Sequence, residues 1–312
     1  MKRIWALILC ALLLTGCVAP WEPPDDGKLQ IVTTLFPYYD FARAVAGDRA
    51  DVTLLLSPGR EAHSFEPTPL DAVRIAHADV FVYNGGESDE WVEDMLDAVG
   101  EDIGTVLCMM DFVDAVAEEF VEGMQVAEEE DEDSVEIEYE EHVWTSPANA
   151  VKLCEALRDA LCDADAANAD AYREGCAAYV AELDALDARF AALRDSAERD
   201  LLVFADRMPL LYFCEAYGLR YRAAFHGCST DTEPSLATLK YLIDKVADED
   251  IPVVYTVDLD SQKIAEVVAE STGARIDTLY SLQTVSRADF DAGETYVTMM
   301  ERNLKALQRG LA

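Results

Sequence analysis

The chain has 312 residues, 51% of them apolar and 28% charged, the make-up of a folded protein long enough for two domains. Acidic residues outnumber basic ones 62 to 24, a formal net charge of −38. Such a surface repels phosphate backbones, which excludes nucleic acid as a partner, and it attracts cations.

Lys2 and Arg3 precede an unbroken apolar run from Ile4 to Leu14, followed by Thr15-Gly16-Cys17. A basic start, a short apolar run and small residues before a cleavage point describe a secretory signal over residues 1–16, too short to span a bilayer. Leu14-Thr15-Gly16-Cys17 also resembles the bacterial lipobox, which implies that Cys17 is lipidated and anchors an extracytoplasmic protein to the cell membrane. Residues 17–28 are a Pro-rich tether. Six further cysteines follow: Cys108, Cys154, Cys162, Cys176, Cys214 and Cys228. Disulfides are permitted in an exported chain, but no CxxC pair is present, and several of these residues sit on apolar helix positions where buried free thiols are the simplest expectation.

Short β-branched runs then alternate with amphipathic stretches. The pattern predicts strands at 31–35, 52–56, 80–83 and 105–108, and helices at 38–46, 70–76 and 91–99. Continuous apolar strands alternating with helices argue for a parallel sheet covered on both faces. Residues 128–141 break the pattern with ten acidic residues in fourteen, a run that cannot bury itself and is expected to be a loop with the capacity to collect cations. Ser146-Pro147 opens a helix to about Ala160.

From Asp163 to Ser196 there is no proline, and Tyr172, Cys176, Tyr179, Leu183, Leu186, Phe190 and Leu193 recur at spacings of three and four. This predicts one helix of roughly 50 Å at 1.5 Å per residue, packed along its own chain, with a coiled-coil seam as the alternative. A second α/β unit follows: strands 201–204, 221–225 and 253–257, and helices 210–217, 235–246, 262–272 and 294–311. The expected fold is α/β: an N-terminal lobe (29–162), a linking helix (163–197) and a C-terminal lobe (198–312), with parallel sheets in both lobes.

Ligands of open α/β sheets bind at the carboxyl ends of strands. Of the four histidines, His63 lies in the loop after the second strand and His142 in the loop before a helix, while His77 ends a helix and reads as structural. In the second lobe, Asp206 and His226 follow predicted strands. Two imidazoles from one lobe with a carboxylate or imidazole from the other would hold zinc or a similar divalent metal in the cleft.

The segment 31–95, with Pro58-Gly59-Arg60-Glu61-Ala62-His63-Ser64-Phe65-Glu66-Pro67 and Asp79 to Gly86, strongly resembles the metal-specific solute-binding lipoproteins of bacterial ABC importers, the TroA-like or cluster A-I family for zinc and manganese. Glu141-His142-Val143-Trp144 with Pro147-Ala148-Asn149 is similar to the family's second histidine motif, and Tyr217-Gly218-Leu219, Glu233-Pro234-Ser235 and Ser271-Thr272-Gly273-Ala274 match its second lobe. The resemblance implies a metal-binding receptor, not an enzyme, with His63 and His142 as ligands and an ABC permease as partner, working as a monomer. Asp206 stands where the family usually has a histidine, and no acidic residue stands near Tyr280-Ser281, so Asp206 is the expected third ligand and His226 an additional candidate. Imidazoles with one carboxylate favour Zn2+ as the transported ion, with Mn2+ or Fe2+ as alternatives. A secreted zinc hydrolase with Glu66 as base is a rival reading, though no HExxH motif accompanies it.

Overall fold

A computed structural model describes residues 27–100, 103–118, 120–124, 138–229, 233–259 and 261–312. The expected signal segment, Cys17, most of the tether and most of the acidic run lie outside these residues. No helix among the described residues is long and apolar enough to cross a membrane.

The first lobe is built from β1 (Leu29–Thr33), α1 (Phe36–Ala46), β2 (Ala50–Leu54), α2 (Pro69–Ala76), β3 (Val80–Tyr83), α3 (Trp91–Val99) and β4 (Thr105–Cys108). Its four strands are all parallel, in the order β2-β1-β3-β4. Two long helices follow, α4 (Pro147–Ala164) and α5 (Ala169–Ser196). The second lobe repeats the plan with β5 (Leu201–Met208), α6 (Leu211–Tyr217), β6 (Arg220–His226), α7 (Leu236–Asp248), β7 (Val253–Val257), α8 (Lys263–Thr272) and β8 (Arg275–Leu279). Its sheet has the equivalent parallel order β6-β5-β7-β8, and α9 (Arg287–Ala292) and α10 (Tyr296–Leu311) close the chain. Buried strands such as Val253-Val254-Tyr255-Thr256-Val257 are apolar on both faces because helices cover both faces.

The expected single helix from Asp163 is shorter at its start. Asp165 leaves the helix, and its carboxylate accepts from Asn168 Nδ2 at 2.6 Å and Tyr172 Oη at 2.8 Å, so the chain turns once before α5 begins. The short acidic side chain competes with helix hydrogen bonds and re-aims the backbone. The predicted stripe is nevertheless the packing face: Tyr172, Cys176, Tyr179, Leu183, Leu186 and Phe190 are buried against the rest of the chain. Gly175, the one glycine of α5, meets α1 so closely that a Cβ there would stand 2.4 Å from the Val45 carbonyl oxygen.

Three apolar clusters organise the interior. One outer cluster lies under α2 and α3 and another under α7 and α8. The third runs without interruption from α1 through Trp144, α4 and α5 to α6 and α10, and so belongs to both lobes. Hydrogen bonds cross the same boundary. Trp144 Nε1 donates to the Ser281 carbonyl at 2.8 Å, Tyr296 Oη donates to the Trp144 carbonyl at 2.7 Å, and the Tyr296 amide donates to Asp40 at 2.9 Å. Rigid packing on this scale leaves little freedom for hinge bending between the lobes.

Two elements are absent from the sequence reading. Strand β8 carries only modest apolar character, with Arg275 exposed, and α9 is a short helix recognisable mainly by its Ser286 cap. The other differences are at element ends, and one of them moves Asp206: β5 continues through Met208 rather than stopping at Phe204.

Candidate metal site

His63 stands in the loop between β2 and α2, and that loop is tied at both ends. The Gly59 amide donates to Thr284 Oγ1 of the second lobe at 3.3 Å, and Thr68 with Asp71 forms a capping box that starts α2. His142 precedes a single 3-10 turn, Val143–Thr145, whose Trp144 is buried and edge-on to both His142 and Tyr38. The two imidazole centroids are 6.0 Å apart.

Each ring is held by a carboxylate two residues earlier in the chain. His63 Nδ1 lies 2.9 Å from Glu61 Oε1. His142 Nδ1 pairs with Glu140 Oε1, which also accepts from the His142 backbone amide at 2.9 Å. A carboxylate on Nδ1 fixes the tautomer that leaves Nε2 as a lone-pair donor, the arrangement that orients histidines toward metals. His63 Nε2 is buried without a partner, and so is Glu141 Oε2. Glu141 Oε1 is anchored by the Ser88 amide at 3.1 Å. Gly86, at φ +78°, backs this carboxylate so closely that a Cβ would stand 2.3 Å from Oε1.

The electrostatics favour a cation here. The hydrogen bond from His63, with help from Arg207 and against the opposing effect of burial, holds the Glu61 carboxyl down to about 2. Burial disfavours charge on His142, but Glu140 and Glu141 outweigh it and push its pKa up. Beside the histidines, a cavity of about 100 Å³ opens between the lobes, lined also by Glu61, Arg207, Asp258 and Ser281. It lies at the carboxyl ends of β2, β5, β7 and β8, where open α/β sheets bind ligands.

The second-lobe candidates are placed differently. Asp206 lies inside β5, at a register shift between Phe204 and Arg207, rather than in a loop beyond it. Its Oδ2 accepts from the Val257 amide of β7 at 3.0 Å and its Oδ1 from the Arg207 amide at 2.8 Å. The carboxylate thus ties β5 to β7 beside that shift, and Asp206, like Glu141 and Cys228, is not among the residues that line the cavity beside His63 and His142. His226, the last residue of β6, pairs through Nδ1 with Glu118 and packs on Phe120, with Glu138 also close. It faces a second, smaller cavity with Glu118 and Glu140.

Two residues that sequence reasoning passed over stand close to the histidines. One nitrogen of His63, one oxygen of Glu141 and the sulfur of Cys228 lie within 4.8 Å of one another, and the same sulfur lies within 4.8 Å of donor atoms of Glu140 and His142. Glu141 was hidden in the acidic run. Cys228 carries the same signal as His226, a position just past a parallel strand. All six described cysteines are free.

The sequence matches the family model "ZnuA: Zinc-uptake complex component A periplasmic" over residues 31–310. The chain belongs to this family. It is 35% identical over 312 residues to the zinc-binding lipoprotein AdcA of Streptococcus pneumoniae, covering 99% of this chain but 61% of that relative, so it spans about three fifths of the longer protein. It is 30% identical to the high-affinity zinc uptake system protein ZnuA of Bacillus subtilis, covering 99% of this chain and 97% of the relative. The Zn(II)-bound ZnuA-like domain of the pneumococcal AdcA superimposes with a TM-score of 0.76 at 32% identity, over 91% of this chain and 99% of that one. The metal-dependent lipoprotein YcdH of Bacillus subtilis gives 0.77 at 29% identity, over 91% and 100%. The two-lobed α/β architecture is therefore that of the ZnuA-like solute-binding proteins.

Proposed function

We propose that the chain is the extracytoplasmic zinc receptor of an ABC importer, anchored through a lipid on Cys17, which takes up Zn2+ between its lobes and hands it to a permease. The observation that carries this reading is the pair His63 and His142, each held by a carboxylate on Nδ1, with the buried His63 Nε2 and Glu141 Oε2 left without partners. Buried polar atoms without partners cost about 1–3 kcal/mol each, and a bound cation satisfies them. Family membership and the zinc-binding names of relatives that match nearly the whole chain support the same ion.

Zinc here is cargo, and the chain's work is to strip it of water and hold it. Imidazole nitrogens and a carboxylate suit zinc, whereas manganese and iron sites lean further toward oxygen. The continuous core shared by the lobes implies that release does not come from wide opening. It comes instead from local rearrangement of the loops that carry His63 and His142 when the permease docks.

The test is elemental analysis by mass spectrometry on the protein purified without a metal-affinity tag. One equivalent of zinc, lost in His63→Ala, is expected. Manganese or iron in its place would overturn the choice of ion, and absence of any metal after zinc soaking would overturn the receptor reading.

A further inference from the structure

A ligand from each lobe would tie the ion to both. Both second-lobe candidates suggested by the sequence are engaged elsewhere, Asp206 with the backbone of β5 and β7 and His226 with Glu118. The geometry points to the Cys228 thiolate as the second lobe's zinc ligand, completing a site with His63, His142 and Glu141. This rests on the zinc-receptor reading and names the one donor that reading leaves open.

Cys228 follows β6 by two residues and its turn is fastened. The Cys228 amide donates to Glu118 Oε1 at 3.3 Å, and the Ser229 amide donates to the His226 carbonyl at 3.3 Å. This carries a second-lobe sulfur across to the first-lobe pair, within 4.8 Å of a His63 nitrogen and a Glu141 oxygen. In a tetrahedral zinc site, donors at about 2.0–2.3 Å from the metal lie about 3.3–3.8 Å from one another, so an inward movement of about 1.5 Å is the most that closure of these three donors demands. The second, independent observation is that two of these converging side chains each carry a buried polar atom with no partner, His63 Nε2 and Glu141 Oε2, and Glu141 is only 3% exposed.

Charge supports the same set. Two neutral imidazoles, one carboxylate and one thiolate match the charge of a dication in a buried place, where an uncompensated charge is costly. Without the ion, burial and then Glu140, Glu141 and Glu118 push the Cys228 thiol up, so formation of the zinc–sulfur bond expels the thiol proton to solvent. Softness supports it as well, since a thiolate binds zinc far better than manganese and makes the site selective in a way that Asp206 would not.

Zinc K-edge X-ray absorption on the zinc-loaded full chain tests this directly. A sulfur shell at about 2.3 Å is expected beside nitrogen and oxygen at about 2.0–2.2 Å. Cys228→Ser should lose that shell, lower zinc affinity on the order of 100-fold and change manganese affinity less than threefold, with Cys162→Ser unchanged as a control thiol. A zinc-loaded wild type with only nitrogen and oxygen neighbours overturns the ligand and leaves the receptor reading intact. A wild type that takes up no zinc overturns both. If Cys228→Ser does not fold, the wild-type spectrum still decides.

Discussion

The imidazoles of His63 and His142 come from separate loops of the first lobe and meet with their centroids 6.0 Å apart, each with Nδ1 on a carboxylate from its own loop. The pairing makes both rings the same kind of donor before any ion arrives. His63→Ala and His142→Ala are each expected to weaken zinc binding by at least about 100-fold, whereas Glu61→Gln and Glu140→Gln, which loosen the rings without removing them, should cost about 10- to 100-fold. Competition titration against a chelator of known affinity separates the two classes.

Asp206→Ala should behave as a stability variant. It leaves the Val257 and Arg207 amides without their acceptor and is expected to cost about 1–3 kcal/mol in denaturant unfolding of the metal-free protein. Zinc affinity should change less than threefold. A large loss of zinc affinity with unchanged stability would return Asp206 to the site.

Gly86→Ala has a double cost and a natural control. Gly86 and Gly100 have nearly the same backbone conformation, φ +78° and ψ −172° against φ +80° and ψ −165°, so alanine at either pays about 1–3 kcal/mol for a region that essentially only glycine adopts. Only at Gly86 does the new Cβ also meet a carboxylate, 2.3 Å from Glu141 Oε1. Zinc affinity should therefore fall tenfold or more in Gly86→Ala and stay unchanged in Gly100→Ala, as read by calorimetry.

Asp89, close enough to Glu141 for that carboxylate to raise its pKa, supplies a pH signature of the metal-free chain. Burial, opposed by hydrogen bonds from the Asn84 and Gly85 amides, pushes its carboxyl up to about 6. Between about pH 4 and pH 6 the folded chain therefore binds more protons here than the unfolded one, so this residue's contribution to stability falls as pH rises through that window and is flat above it. The difference between wild type and Asp89→Asn in urea unfolding should change by about 3 kcal/mol across the window. A difference that does not vary with pH contradicts this account.

The α/β class, the parallel strands and the first-lobe histidines were legible because each leaves a local mark: apolar runs, a 3.6-residue stripe, a histidine just past a strand. The start of α5 was not, because the turn at Asp165 depends on where Asn168 and Tyr172 place their side chains. The placement of Asp206 was not, because β5 runs on to Met208 and that carboxylate accepts from the backbone of β7. Cys228 and Glu141 escaped for a different reason. Their meaning lies in convergence with His63 across the lobe boundary, which no spacing along the chain records.

The most direct test of zinc as cargo is calorimetric titration of the metal-free chain with Zn2+ and, separately, with Mn2+. The account predicts one equivalent of zinc, bound at least about 100-fold more tightly than manganese, as expected for a site of nitrogen and sulfur donors with a single carboxylate. Equal affinities, a preference for manganese, or no zinc binding at all would contradict it.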